Sequence, residues 1–225
     1  MGIIRLGPPT DLILQLKNEY KIDTFVETGT YKGNTAVWAA EHFANIFTVE
    51  FSKNIYKQTK ERLDKLQNVR FIYGNSKNIL KNIIPELTSP AFFWLDSHWS
   101  GGETWGQDEE CPLLDEIAEI NKSDFSHYIF IDDARLFLSP PPFPHNYEHW
   151  PTIVEVLASL QAKNPYYIVV IEDVVIAVPK DAKDSLVTYC QRLNTEEKEN
   201  YRLKNRISKK WSVKHFYNSA KLKIK

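Results

Sequence analysis

Residues 92–110 read FFWLDSHWSGGETWGQDEE. The first four, Phe92, Phe93, Trp94 and Leu95, are uniformly apolar, as a strand covered on both faces requires. A carboxylate, an imidazole and an indole then follow in quick succession: Asp96, His98 and Trp99. Ser100, Gly101 and Gly102 read as a hinge, and the acidic run 103–110 reads as a loop able to close over a substrate. This abrupt change of chemistry marks a strand end that presents polar groups at a rim.

The same design recurs along the chain. An apolar strand over 24–27 ends in Glu27, and one over 46–51 carries Glu50 near its end. A third, Val69–Tyr73, runs into Gly74-Asn75-Ser76, and a fifth, Tyr128–Ile131, ends in Asp132-Asp133. Helical patterns separate these strands. They cover 36–43, then 53–66 with Ser52 as its cap, then a stretch that stops near Pro85. The next, over 111–120, places Leu113, Leu114, Ile117 and Ile120 at helical spacing. A short amphipathic helix over Thr10–Tyr20 precedes them all. After a proline-rich loop at 139–144 and a helix around 152–160, two apolar runs at 166–171 and 174–178 flank Glu172-Asp173 as a hairpin.

Strand and helix alternate five times before that hairpin. Alternation of this kind forces right-handed crossovers and a sheet covered on both faces. The expected fold is therefore α/β: a doubly wound, mostly parallel, seven-stranded Rossmann-like sheet with a C-terminal antiparallel hairpin. Functional residues belong at the carboxyl ends of the strands, near the point where strand order reverses. Glu27, Glu50, Asn75, Asp96, Asp132 and Asp133 all fall there.

Composition narrows the class. The 225 residues are 43% hydrophobic and 25% charged, enough for one large domain with its own core. The two cysteines, Cys111 and Cys190, make neither a disulfide framework nor a zinc cluster. They fit a reducing compartment, and the expected location is cytoplasmic. No apolar run approaches the ~18 residues of a membrane span, and MGIIRLGPPT does not read as a signal peptide. Charge is unevenly spread. Residues 179–225 carry 13 Lys/Arg and 5 Asp/Glu, a net of +8, against 15 and 24 in the remainder, a net of −9. This divides the chain into a sheet domain, 1–178, and a basic extension, 179–225. The extension reads first as a solvated terminus whose aromatics dock on the domain or on a second copy, in a homo-oligomer. A nucleic-acid or anionic-membrane contact is the rival reading.

The turn V-E-T-G-T-Y-K-G-N-T joins the first strand to its helix. Gly29 and Gly33 allow a tight turn and a close ligand. The three-glycine dinucleotide fingerprint is absent, which disfavours a nicotinamide enzyme. Glu50 stands ~20 residues further on, where an acid accepts hydrogen bonds from a ribose diol.

On these residues the chain resembles the class I S-adenosylmethionine-dependent methyltransferases, over about 10–178. E-T-G-T-Y-K-G resembles their first motif, Glu50 the acidic second motif, and Gly74-Asn75-Ser76 the adenine-side turn. The resemblance implies a cofactor set of Glu27, Gly29, Tyr31, Gly33, Thr35, Glu50, Phe51, Asn75, Ser76, Asp96, His98 and Trp99. Gly29 would face the methionine part, Glu50 the ribose and Asn75-Ser76 the adenine. WLDSHW and FIDDAR also resemble the catechol and macrocin-type O-methyltransferases and bacterial relatives with the pattern W-L-D-x-H-x-S-G-G.

Three converging carboxylates repel unless a cation compensates them. Hard oxygen ligands suit Mg²⁺, so Asp96, Asp132 and Asp133 form the candidate metal set. The catechol enzymes have Asp-Asn after strand five and a lysine after strand four, whereas this chain has Asp132-Asp133 and no lysine near Asp96. Asp96 and His98 are the candidate catalytic bases, and Arg135 reads as a partner of Asp133. His145 and His149 lack further ligands for a zinc site and read as surface or loop residues. The expected activity is O-methylation of a small hydroxylated acceptor such as a sugar or phenol. An RNA methyltransferase using the basic extension and a non-catalytic binding module are the alternatives.

Overall fold

The structure is a computed structural model and describes residues 6–99 and 109–221, with side chains described as far as Leu203. The expected hinge at 100–102, most of the acidic loop and the side chains of the extension beyond 203 lie outside these residues. The elements follow in the order α1 (Thr10–Tyr20), β1 (Thr24–Thr28), α2 (Asn34–His42), β2 (Asn45–Glu50), α3 (Lys53–Leu63), β3 (Val69–Tyr73), α4 (Ser76–Ile83) and β4 (Phe92–Leu95). Then come α5 (Leu113–Ile120), β5 (Tyr128–Ile131), α6 (Arg135–Leu138), α7 (Ile153–Leu160), β6 (Tyr167–Ile171), β7 (Val174–Val178) and α8 (Lys183–Lys221). The seven strands form one sheet in the order β3-β2-β1-β4-β5-β7-β6. All pairings are parallel except those of β7 with β5 and with β6. The expected doubly wound architecture and terminal hairpin are both present.

Strand order reverses between β1 and β4. The register pairs Thr28 with Val49 on one side and with Leu95 on the other, and Leu95 with Ile131. The next residue along each strand therefore reaches the same edge. Backbone bonds continue the ladder there, from Gly29 N–H to the Val49 carbonyl (2.9 Å), Asp96 N–H to Thr28 (3.0 Å) and Asp132 N–H to Leu95 (3.1 Å).

Period-two alternation divides the core into two layers. Phe25, Phe92 and Phe130 point to one face, where Phe43 joins Phe25 (5.2 Å between centroids) and Phe92 (5.8 Å) in an aromatic row. Val26, Phe93, Leu95, Ile129 and Ile131 point to the other, against Leu80 and Ile83 of α4, Ile117 and Ile120 of α5 and Val156 and Leu160 of α7. The hairpin turn places Glu172 and Asp173 at φ 47° and 68°. Two left-handed residues in succession match the twist of the flanking strands.

The chain divides into compact units at 183/184. Residues 179–183 stay with the first unit: Ala182 is fully buried, and the Tyr20 hydroxyl donates to the Asp181 carbonyl at 3.0 Å. The second unit is the remainder of α8, braced locally by an Arg192–Glu196 pair at 3.3 Å. Among the described residues no helix is long and apolar enough to cross a membrane. Among the described residues Cys111 and Cys190 form no disulfide.

Two buried polar groups fasten the sheet to its surroundings. Glu110 is 2% exposed and draws three donors onto one carboxylate: Trp150 Nε1 (2.7 Å), His145 Nδ1 (2.9 Å) and the Asn146 N–H (2.8 Å). Its own carbonyl accepts the Trp99 N–H at 2.7 Å. Desolvation acts to raise its pKa, but these hydrogen bonds outweigh it and hold the carboxyl below its ordinary value. The segment after β4 is thereby pinned to the segment after β5. His127 is fully buried beside β5, where its Nδ1 accepts the Ala91 N–H at 3.1 Å. Burial, assisted by Lys163 nearby, lowers its pKa from 6.5 to about 4.

Two predictions follow from these anchors. Glu110→Ala leaves the buried Trp150 N–H and two partly buried donors without their acceptor and should cost about 2 kcal/mol in urea unfolding. His127 stays neutral in the folded chain while the unfolded chain protonates below pH 6.5. Its contribution is thus complete above pH 6.5 and is lost as pH falls toward about 4. That loss is about 3 kcal/mol, so unfolding curves for His127→Gln should show a shallower decline between pH 7 and 4.

Candidate functional site

The turn after β1 is built around Gly29. Its φ is +85°, and a Cβ there would stand 2.0 Å from the Asp96 carbonyl oxygen and 3.1 Å from the Ser97 Cα. Only glycine lets these two backbones meet. Tyr31 follows at φ 47°, and Gly33, at φ +72°, enters α2 with its N–H on the Thr30 carbonyl (2.8 Å). The Tyr31 side chain is 53% exposed, so the turn offers backbone inward and a ring outward.

Glu50 closes this turn from β2. Its two oxygens accept the Tyr31 N–H at 2.9 Å and the Ser52 N–H at 2.7 Å, and the Phe51 N–H also points to it. Burial raises its pKa despite these bonds. Each oxygen retains a lone pair for a further donor. Glu27 lies deeper. It is 1% exposed and accepts the Thr48 hydroxyl at 2.5 Å, with Thr35 also bonding to it and Thr30 stacked on Thr48 at 2.6 Å. Burial pushes its pKa up to about 8. Glu27 and Thr35 thus support the turn from below.

Asn75 caps α4, its side-chain oxygen accepting the Lys77 N–H at 3.2 Å, which leaves its amide to donate outward. Ser76 is buried, and its hydroxyl donates to Ser97 at 3.3 Å. Ser97 in turn donates to Glu116 of α5 at 2.7 Å. Glu116 is 1% exposed, and burial raises its pKa. The turn after β3 and the β4 rim are joined through this carboxyl. Sequence reading passed over Glu116 because α5 was read for its apolar positions alone. The available signal was an acid three residues after Leu113 and one before Ile117, on the stripe that faces the sheet.

After β4 and β5 the polar groups form a chain. The Asp96 side chain is 35% exposed at the rim, whereas that of His98 is only 5% exposed. His98 Nε2 lies 2.7 Å from Asp133 Oδ2 and 3.7 Å from Asp96 Oδ1, with its ring 5.4 Å from that of Trp150. Burial raises the Asp96 pKa to about 8, with Asp132 and Asp133 adding to the rise and His98 opposing it. Burial opposes the charge on His98, but its bond to Asp133 and the nearby carboxylates prevail and raise its pKa. Asp133 is held below the ordinary range: burial works against its charge, and His98 and Arg135 outweigh it. Asp132 is pushed up to about 6 by burial and by Asp133 beside it. Trp99 is 8% exposed and its ring meets that of His145 at 5.1 Å, which packs it against the segment after β5.

The expected metal set is not assembled. Among the described residues no group of three or more His, Cys, Asp and Glu side chains is placed to hold an ion. The reason is visible at Asp133, whose two oxygens are taken by His98 and by Arg135 (2.5 Å). The Asp132 carboxylate accepts the Asp133 N–H at 2.8 Å. Protein cations supply the compensation that the sequence reading assigned to Mg²⁺. As they stand, Asp132, Asp133, His98 and Arg135 are linked to one another, and Asp96 stands 3.7 Å from His98 at the end of this row.

No protein-family model matches the chain, and no curated protein matches it in sequence. Solved structures do. The O-methyltransferase TomG from Streptomyces achromogenes, involved in tomaymycin synthesis and solved with S-adenosylmethionine, aligns with a TM-score of 0.53 at 13% identity, over 78% of this chain and 82% of its own. An O-methyltransferase from Bacillus cereus, in complex with S-adenosylhomocysteine, aligns with a TM-score of 0.55 at 16% identity, over 78% and 83%. The S-adenosylhomocysteine-bound methyltransferase PaMTH1 of Podospora anserina gives 0.53 at 16%, over 78% and 80%. The chain has the Rossmann-like fold of the class I methyltransferases.

Proposed function

We propose that the protein is an S-adenosylmethionine-dependent O-methyltransferase acting on a small hydroxylated acceptor. One observation carries this reading. At the switch point between β1 and β4, a glycine turn with no room for a Cβ, Glu50 with a lone pair left on each oxygen and a partly open Asp96 stand at one edge of the sheet. Ligands of open α/β sheets bind there, and the three solved relatives bind this cofactor or its product.

In this reading Gly29, Tyr31 and Gly33 pass the methionine portion along their backbone, and Glu50 accepts the ribose hydroxyls. Asn75 and Ser76 flank the adenine. The acceptor hydroxyl lies against Asp96. Its oxygen attacks the sulfonium methyl, the O–CH₃ bond forms as the S–CH₃ bond breaks, and S-adenosylhomocysteine leaves. The acceptor's proton passes to the Asp96 carboxylate. Of the two candidate bases Asp96 is the accessible one, and His98 sits behind it on Asp133. Alignment of the two reacting atoms supplies much of the acceleration in such a displacement.

Two measurements test this. Isothermal calorimetry should detect S-adenosylmethionine and S-adenosylhomocysteine, with Glu50→Ala weakening both about tenfold or more; absence of binding to the wild type sinks the proposal. Methyl uptake from labelled cofactor, screened over sugars, phenols and other hydroxylated metabolites, should then identify the acceptor. On that acceptor Asp96→Asn should keep cofactor affinity and lose about 10²- to 10⁴-fold in turnover. Full activity in Asp96→Asn would remove Asp96 from its role.

A further inference from the structure

The tip of the β6–β7 hairpin reaches the site by a route that the methyltransferase reading does not use. Asp173 occupies the second position of the turn at φ 68°, and its side chain is 6% exposed. It makes three contacts with the segment after β5. Its carbonyl accepts the Ala134 N–H at 2.7 Å, and its Oδ1 accepts the Arg135 N–H at 2.8 Å. Its Oδ2 pairs with the Arg135 guanidinium. The same guanidinium nitrogen donates to Asp133 Oδ1 at 2.5 Å, and the other oxygen of Asp133 meets His98 Nε2 at 2.7 Å. A continuous path of charged hydrogen bonds thus runs Asp173–Arg135–Asp133–His98 and ends beside Asp96.

Asp133 is where this path matters. It sits in the left-handed region at φ 55°, which costs a non-glycine residue roughly 1 kcal/mol and persists only when its surroundings dictate it. The Asp133 N–H is tied to Asp132, and one carboxylate oxygen is tied to Arg135. With both held, its second oxygen has one direction left, toward His98. A guanidinium suits this work because it donates along fixed directions, whereas an ammonium is a point charge on a flexible stem.

We propose that Arg135 and Asp173 are positioning residues. Together they fix the Asp133 carboxylate, which sets the ring orientation and the proton-bearing nitrogen of His98, and so the placement of the group behind Asp96. The catalytic consequence rests on the methyltransferase reading, but the brace itself does not.

The test needs no acceptor. Protein labelled with ¹⁵N-histidine carries six imidazoles, and loss of one signal in His98→Gln assigns His98. The wild type should show a downfield, slowly exchanging Nε2 proton for the bond to Asp133. Arg135→Lys keeps the charge and loses the two fixed donor directions of the nitrogen that bridges Asp173 and Asp133. Asp173→Asn keeps an acceptor for the Arg135 N–H and loses the charge. Each should shift or abolish the His98 signal while the melting temperature falls by no more than a few degrees. In an Asp133→Asn background, Arg135→Lys should add nothing further. Arg135 is 44% exposed, so Arg135→Lys decides the matter even where Asp173→Asn does not fold. An unchanged His98 signal in Arg135→Lys overturns the proposal, as does a loss of thermal stability with the His98 signal intact. Calorimetry with S-adenosylmethionine on the same samples separates the two readings. Affinity should stay within about twofold of wild type in both variants. A wild type that binds no cofactor overturns the methyltransferase reading, while the His98 spectrum still decides the brace.

Discussion

The structure turns on the contact between Gly29 and the backbone of Asp96. No other side chain fits where a Cβ would lie 2.0 Å from a carbonyl oxygen. The close approach follows from topology. β1 and β4 are neighbours although two strands and three helices lie between them in sequence, and each must turn away toward a different face as it leaves the sheet. A larger residue at 29 would push the turn outward and open the crevice at its floor. The glycine therefore fixes where Tyr31 sits, Tyr31 fixes one oxygen of Glu50, and Asp96 is fixed from the opposite side.

Around this contact the protein keeps two layers of polar groups distinct. Those that face the rim are Glu50, Asn75 and Asp96. Beneath them lie Glu27 with Thr48 and Thr35, Glu116 with Ser97, and His98 with Asp133. Glu27, Thr48 and Glu116 are almost fully buried and the others partly so, and each is satisfied by a short bond, as buried polar networks must be. Their common effect is rigidity. The turn after β1, the cap of α4 and the end of β4 cannot drift apart without breaking a buried bond, so the rim groups keep their relative positions.

The strands were legible in the sequence because each is a short apolar run that ends in a polar residue. Burial on both faces leaves little other composition for β1, β4, β5 and β7, whereas the edge strands β3 and β6 are only partly covered. The rim residues were legible for the same reason, since a carboxylate ending such a run has nowhere else to go. Lateral contacts between distant segments were less so. Glu110 looked like the last acid of a solvated loop, yet it is buried under His145 and Trp150, residues 35 and 40 positions away. Asp173 looked like a turn residue and proved to be an anchor for Arg135. His98 and Asp96 looked interchangeable as bases because sequence carries no depth, and two residues of strand-end geometry put one inside and one at the surface. The compensation of the three rim acids was hard to read on the same ground. Three acids at one rim do call for positive charge, but Arg135 and His98 were close enough to provide it.

The arrangement of charge also bears on how such a site would work under the proposed activity. A sulfonium loses its positive charge as its methyl departs. A pocket crowded with ionised carboxylates would bind the cofactor best in its ground state and so raise the barrier it has to lower. The chain carries six acids at or under this rim, but does not leave them all ionised and free. Burial pushes Glu27 up to about 8 and raises Glu116, and Asp133 is paired with Arg135 and His98. What remains is a site able to take one proton from an acceptor without a strong negative field fixed on the sulfur. An acid-rich sequence and a restrained field are compatible because burial, and not composition, decides which of the acids are charged.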